Sequence, residues 1–273
     1  MTGVPDATSM VYDRCAAGYD QQVDHFRRFG RHLVDLAAPS PGDRVLDVGS
    51  GMGACLLLAA GRVGAAGHAH GVDISARMVA DLAAEIEARG LSNASVARAD
   101  ARSLTVPDAS VDVVLSAFSL FVMPDPDAVV TEFHRVLRPG GRCAVSVPVR
   151  QVFPGDARRM AEIYGRYAAQ APTPASIPMR FDMDVAGSLT RSGFVDVTST
   201  AVTEELTFSD VDTWWDWSWT VGSRALYERL PSSMLEGLRE EVTTALRPAV
   251  TEAGLTARAH ARLFIGHRPV ELP

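Results

Sequence analysis

Short, almost uninterrupted apolar runs alternate with longer amphipathic ones through the first half of the chain, and this alternation is its strongest constraint on folding. Runs at 45–48, 70–73, 94–99, 111–117 and 142–147 predict five strands, and the stretches at 55–60, 76–88 and 128–137 predict helices between them. Near-continuous apolar strands joined by helices specify a parallel sheet covered on both faces. A further helix is predicted at about 26–36, where Phe26, Phe29, Leu33 and Leu36 recur on one face. The segment LRPGG at 137–141 ends the helix before it and turns into the fifth strand, since proline cannot continue the helical ladder.

After residue 147 the rhythm changes. Residues 148–178 are rich in Pro, Arg and Ala, with a helix predicted at 156–169; a short helix at 185–191 and strands at 194–202 and 261–266 follow. The expectation is an α/β fold: a Rossmann-like, seven-stranded, mostly parallel sheet with helices on both faces and a helical cap. Residues 1–40 form an N-terminal helical lid, 41–206 with 256–273 the core, 149–180 linker and cap elements, and 207–255 the cap insertion.

The first strand ends in VLDVGSGMGA, residues 45–54. Small residues in a sharp turn between strand and helix let a ligand approach the backbone and the helix amino terminus. Gly49, Gly51 and Ala54 satisfy the dinucleotide fingerprint and Asp73 closes the second strand, so these positions alone admit a nicotinamide cofactor. Three residues shift the balance. Asp47 faces the crevice with a carboxylate, which repels a diphosphate and suits an ammonium. Asp100 can accept a hydrogen bond from an adenine amino group, and Met78 can lay a polarizable side chain on the adenine face. Their plainer readings are a turn cap, a turn residue and a core methionine.

VLDVGSGMG, GVDISARM, ARADARSLTVPDASVDVVLSAFSLFVMPDP and FHRVLRPGG follow one another across about residues 40–147. With these pieces the chain resembles the class I S-adenosylmethionine-dependent methyltransferases, especially the small-molecule branch that includes the ubiquinone and menaquinone C-methyltransferases. The resemblance implies S-adenosylmethionine as cofactor and S-adenosylhomocysteine as product. Gly49, Gly51 and the Asp47 region would surround the methionine part. Asp73, with Ile74 beside it, would hold the ribose hydroxyls; Met78 would pack on adenine, and Asp100 with the Ala101 backbone would read its edge. Ser116, Phe118 and Ser119 would border the sulfonium and the acceptor. The early tyrosine-aspartate pair is either Tyr12-Asp13 or Tyr19-Asp20; Tyr19 would close over the cofactor, with Tyr12 competing for that place or lining the substrate pocket.

Trp214, Trp215, Trp217 and Trp219 crowd one stretch of the cap. Ser209 with Asp212 has capping-box spacing and Gly222 can end the helix, so the tryptophans are predicted on a helix, with Trp214 and Trp217 on one face and Trp215 and Trp219 on another. Each indole removes roughly 150–250 Å² from water, which calls for a pocket, a cap core or a homodimer contact to cover it. The pocket reading implies an apolar small-molecule acceptor, aromatic or polyketide-like, touched by Tyr12, Ser119, Phe121, Trp214 and Trp217, with Phe118 and Met123 in the floor. Met234, Leu235, Leu238, Val242 and Leu246 would pack the cap onto the core. His25 is the candidate general base and Asp125 a weaker one. His134 reads as structural, His68 and His70 lie away from the site, and no metal centre is indicated.

With 26 basic and 33 acidic side chains the net charge is -7, which gives no support to a nucleic-acid partner. The start MTGVPDATSMVYDRC lacks a targeting pattern, and no apolar run nears the roughly 18 residues of a membrane span, so the cytoplasm is the expected location. Cys15, Cys55 and Cys143 form no CxxC and read as small hydrophobes. Two competing functions stand beside methyl transfer: an NAD-dependent oxidoreductase, for which no Ser-Tyr-Lys set is evident, and a non-catalytic binding protein that keeps the fold. The resemblance to the quinone enzymes fades after Val147, which leaves the acceptor atom open among O, N and C.

Overall fold

A computed structural model describes residues 7–150, 152–175 and 177–270; residues 1–6 of the expected lid and 271–273 of the expected core lie outside them. Two helices open the chain, α1 (Ala7–Cys15) and α2 (His25–Ala37). The alternating half follows as β1 (Arg44–Val48), α3 (Leu56–Val63), β2 (His68–Asp73), α4 (Ala76–Ala88), β3 (Ala94–Arg98), β4 (Val111–Ala117), α5 (Pro126–Val136) and β5 (Leu137–Pro148). Next come α6 (Ala157–Gln170), α7 (Val185–Arg191) and β6 (Val195–Phe208). Then α8 (Val211–Ser218), α9 (Arg224–Tyr227), α10 (Ser232–Leu246), the two-residue β7 (Val250–Thr251) and β8 (Gly254–His267) complete it. Among the described residues no helix is long and apolar enough to cross a membrane.

The main sheet runs β3-β2-β1-β4-β5-β8-β6, with β7 paired to β8 as an eighth, marginal strand. The first five strands pair in parallel and β8 runs against both β5 and β6. Strand order reverses between β1 and β4, so a crevice opens outside their carboxyl ends, where open α/β sheets bind ligands. Leu46, Val48, Val113, Val114 and Leu115 are fully buried, and α2, whose Phe29, Leu33 and Ala37 are buried too, packs on the face of β4 and β5.

Four local expectations are corrected. LRPGG is drawn into the start of β5, at a bulge between the Val111 and Val113 pairings, because Leu137 pairs with Val111 before the strand proper begins. The last two strands are longer than predicted: they form one hairpin that stays in register to Phe208 and Leu255. Asp210, not Ser209, caps α8, its carboxylate accepting from the Thr213 amide at 2.7 Å. That helix stops at Ser218, so Gly222 does not end it; it precedes α9 instead. Trp214, Trp215 and Trp217 of α8 are all buried, and the helix packs against β6 and α10. Tyr227 centres this cap, ringed by Tyr164, Trp215 and Trp219 and hydrogen-bonded to the Ser218 hydroxyl.

Candidate active site

The turn after β1 spends its own amides. Gly49 and Ser50 both donate to the Val72 carbonyl, at 2.8 and 3.1 Å, and Gly51 donates to the Asp73 carboxylate at 2.9 Å. A pyrophosphate cradle needs such amides free, so this turn is built for a different ligand. Asp73 also accepts from Ser75 at 2.8 Å; burial pushes its acidity down while these amides oppose the shift. Ser75 in turn caps α4 through the Met78 amide. A Cβ on Gly49, whose φ is +73°, would fall 2.4 Å from the Ser119 Cβ, while one on Gly51 would lie 3.7 Å from Met78 Sδ and 3.8 Å from Tyr19 Cε1. The turn therefore has Ser119 on one side and Met78 with Tyr19 on the other.

A cavity opens at this edge, lined by Gly49, Gly51, Asp73, Ile74, Met78, Asp100 and Ala101 and closed by Tyr12, Tyr19, Phe118 and Ser119. Asp100 is ion-paired with Arg102 at 2.7 Å, and that guanidinium holds its carboxyl below the usual range. A polar cavity adjoins through Gly49, Gly51 and Tyr19 and reaches Asp47 and Ser50. Both Asp47 oxygens are buried without a well-formed hydrogen bond. Burial pushes this carboxyl up to about 7, only partly offset by the nearby Leu56 amide. A buried acid without donors is costly unless a ligand supplies them.

A second cavity shares Tyr12, Tyr19 and Phe118 with the first and continues past His25, Phe26, Phe121, Met179, Phe181 and Trp217. Phe118 sits where the two meet, on a backbone held at φ +48°, a conformation that costs a bulky residue on the order of 1–3 kcal/mol. Its amide, donating to the Ser146 carbonyl at 3.0 Å, helps to fix it there. His25 stacks on Phe118 at 5.5 Å and meets Phe26, Phe29 and Trp217 edge-on; its Nδ1 is buried without a partner. Burial lowers its basicity to about 4, against the opposing pull of Glu204.

Both tyrosine-aspartate pairs are employed. Asp13 accepts from the Ser75 hydroxyl at 2.6 Å, tying α1 to α4, while Asp20 accepts from the Phe26 and Arg27 amides and caps α2. Tyr12 and Tyr19 thereby reach the same junction. Two of the anticipated residues do not. Ser116 is fully buried behind Ser119, with their hydroxyls 2.7 Å apart, and Trp214 is 1% exposed inside the cap, on neither cavity wall. Asp125 accepts from the Ala128 amide as the cap of α5, which removes it as a base. His134 packs edge-on against Phe194, and His68 and His70 share the Ser95 hydroxyl. Sequence reasoning overlooked Met179, Phe181 and Arg150, which reach the second cavity from the irregular linker. Their nearest signal was the apolar cluster IPMRF.

The methyltransferase-domain family model matches residues 45–141, which span β1 to the start of β5. Nocamycin O-methyltransferase of Saccharothrix syringae is 34% identical over 262 residues, covering 91% of this chain and 94% of that protein. The aklanonic acid methyltransferase DauC of a Streptomyces species is 38% identical over 142 residues, 52% of this chain and 64% of the relative. Among solved structures, the YcgJ protein of Bacillus subtilis superposes with a TM-score of 0.60 at 16% identity, covering 90% of this chain and 99% of that one, a likeness of fold alone.

Proposed function

The chain belongs to the class I S-adenosylmethionine-dependent methyltransferases, and from that premise we propose that it methylates an apolar, polyketide-like small molecule held in the aromatic cavity. The observation that carries this reading is the shared wall: the cavity with Asp73 and Asp100 and the aromatic one with Phe121 and Trp217 meet at Tyr12, Tyr19 and Phe118. Its substrate class is drawn from two relatives, nocamycin O-methyltransferase and the aklanonic acid methyltransferase.

The residues present fit the cofactor. Asp73 offers a carboxylate for paired ribose hydroxyls, Met78 and Ile74 an apolar bed for adenine, and Asp100 with the Ala101 backbone its polar edge. Gly49 and Gly51 give the methionine part room, and the unpartnered Asp47 supplies acceptors for its ammonium or for water around it. Bound there, S-adenosylmethionine supplies an electrophilic methyl group on a sulfonium. Tyr12, Tyr19 and Phe118 hold the acceptor side against that junction and exclude water, so much of the rate gain comes from orientation. His25 stands closest to a catalytic role. A ring with basicity near 4 takes up a proton poorly, so we assign it the part of a neutral hydrogen-bond partner that aligns the acceptor rather than a strong base.

Calorimetric titration with S-adenosylhomocysteine beside NAD tests the cofactor half; saturable binding of NAD alone would overturn it. Incubation with methyl-labelled S-adenosylmethionine and a panel of aromatic polyketides tests the acceptor half, and label on water-soluble amines but on none of the polyketides would refute the substrate class.

A further inference from the structure

Among the described residues the aromatic cavity is lined by no carboxylate, and the one side chain on its wall with a permanent charge is Arg150. Every one of the 26 cationic side chains in this chain is an arginine. Those around the catalytic edge are spoken for: Arg102 by Asp100, Arg27 by Asp20, and Arg180 by the Met123 and Pro124 carbonyls. Arg150 makes neither an ion pair nor a hydrogen bond among the described residues, and it is exposed at the rim. Its position is anchored rather than incidental. The Val149 amide donates to the His260 carbonyl at 2.9 Å, and Pro154 bridges to Ala257, so Arg150 lies between two attachments to β8 just past the carboxyl end of β5.

We propose that the acceptor carries an anionic group, a carboxylate or a comparably acidic phenol or enol, which pairs with Arg150 while its apolar body lies among Phe118, Phe121, Phe181 and Trp217. This inference rests on reading the aromatic cavity as the acceptor site. A guanidinium presents a planar fork of donors that matches a carboxylate. On the cofactor side of the junction Asp73 faces the cavity and Arg102 is engaged by Asp100, so the rim at Arg150 is where an anionic group on the acceptor finds a cation. The acceptor therefore enters in one orientation, charged end at the rim.

The test uses the full chain loaded with S-adenosylhomocysteine and titrated calorimetrically with two pairs of probes: naphthalene-2-carboxylate and anthracene-9-carboxylate, each beside its neutral carbinol. At low salt the better acid should bind about tenfold more tightly than its carbinol, a difference of about 1.4 kcal/mol, and the preference should shrink as salt is raised. Arg150→Gln should erase the preference while leaving carbinol and S-adenosylhomocysteine affinities in place, and Arg150→Lys should keep part of it. Trp217→Ala should weaken acid and carbinol alike. If neither acid binds more tightly than its carbinol, or the preference survives Arg150→Gln, the inference is overturned while the cavity reading stands. Probe binding indifferent to Trp217→Ala would instead remove the cavity reading and the inference with it.

Discussion

Asp73→Asn separates two jobs done by one carboxylate. The side chain accepts from the Gly51 amide at 2.9 Å and from the Ser75 amide at 2.8 Å, and it also faces the cofactor cavity. Asparagine preserves the shape but keeps a single acceptor oxygen, so one amide loses its partner and meets an NH₂ group instead. A buried donor left unsatisfied costs about 1–3 kcal/mol, which the urea midpoint should report as lost stability. On the ligand side, one of two charge-assisted hydrogen bonds to the ribose disappears, worth about 1.5–3 kcal/mol, or a roughly 10- to 150-fold weaker S-adenosylhomocysteine dissociation constant. Asparagine is the better choice than alanine, which would strand both amides and take a large share of a folding free energy of only about 5–15 kcal/mol. Calorimetry at a urea concentration far below the midpoint keeps the two effects apart. A variant that loses stability but binds the ligand as tightly as the parent would refute the ribose assignment and leave Asp73 a purely structural clamp.

The other expectations follow from the same geometry. Asp47 is protonated in the free protein below about pH 7, and a ligand ammonium favours its ionised form, so S-adenosylhomocysteine binding near pH 6 should release a proton and tighten as pH rises. Titration in buffers of different ionisation enthalpy reads this directly; an unchanged heat for Asp47→Asn would contradict it. For His25 the sign is opposite to that of a raised histidine. Its folded value near 4 lies below the unfolded value of about 6.5, so the stability it contributes is present above pH 6.5 and fades as pH falls toward 4. The gap in urea midpoint between parent and His25→Gln should therefore narrow or reverse over that window, and a pH-independent gap would argue that the ring is not buried as described. Gly49→Ala places a methyl group against Ser119 at a left-handed backbone position, so it should lose both cofactor binding and thermal stability; retention of both would mean the turn relaxes freely.

Legibility from sequence followed burial. β1 and β4 were readable because both faces of each are covered, so Leu46, Val48 and Val113–Leu115 had to be apolar in unbroken runs. The helix at 76–88 was read to the residue because its boundary chemistry is local, with Ser75 capping the Met78 amide. β6 was read short because it is the sheet's edge: VDVTSTAVTEELTF is exposed along most of its length, and its pairing to Phe208 is dictated by β8, some fifty residues downstream. At the site, Ser116 and Ser119 could not be told apart by spacing. Which of them faces the cavity depends on the turn at Phe118, and a phenylalanine gives no hint of a positive φ. Trp214 and Trp217 are three apart on one helix, yet only the second reaches the cavity, while the first is sealed inside the cap. Arg150 and Phe181 come from a linker without periodicity, held in place by long-range bonds such as the Arg180 amide to the Phe121 carbonyl.

The hairpin that carries the cap gives the molecule a natural seam. Phe208 and Leu255 are paired neighbours, so everything from 209 to 254 leaves and returns at one rung of the sheet, and exchanging it need not disturb any strand that builds the cofactor crevice. The seam is stitched elsewhere at two places: Arg14 of α1 pairs with Glu228 just past α9 while Arg224 donates to the Arg14 carbonyl, and α6 packs on α10, with Arg166 paired to Glu241 and the Tyr164 and Tyr227 hydroxyls in contact. A cap transplanted between relatives should thus travel with its own first helix and with α6. Lineages diversifying their acceptors would be expected to change α1, α6 and the cap in concert while the turn at Gly49 to Gly51 stays put.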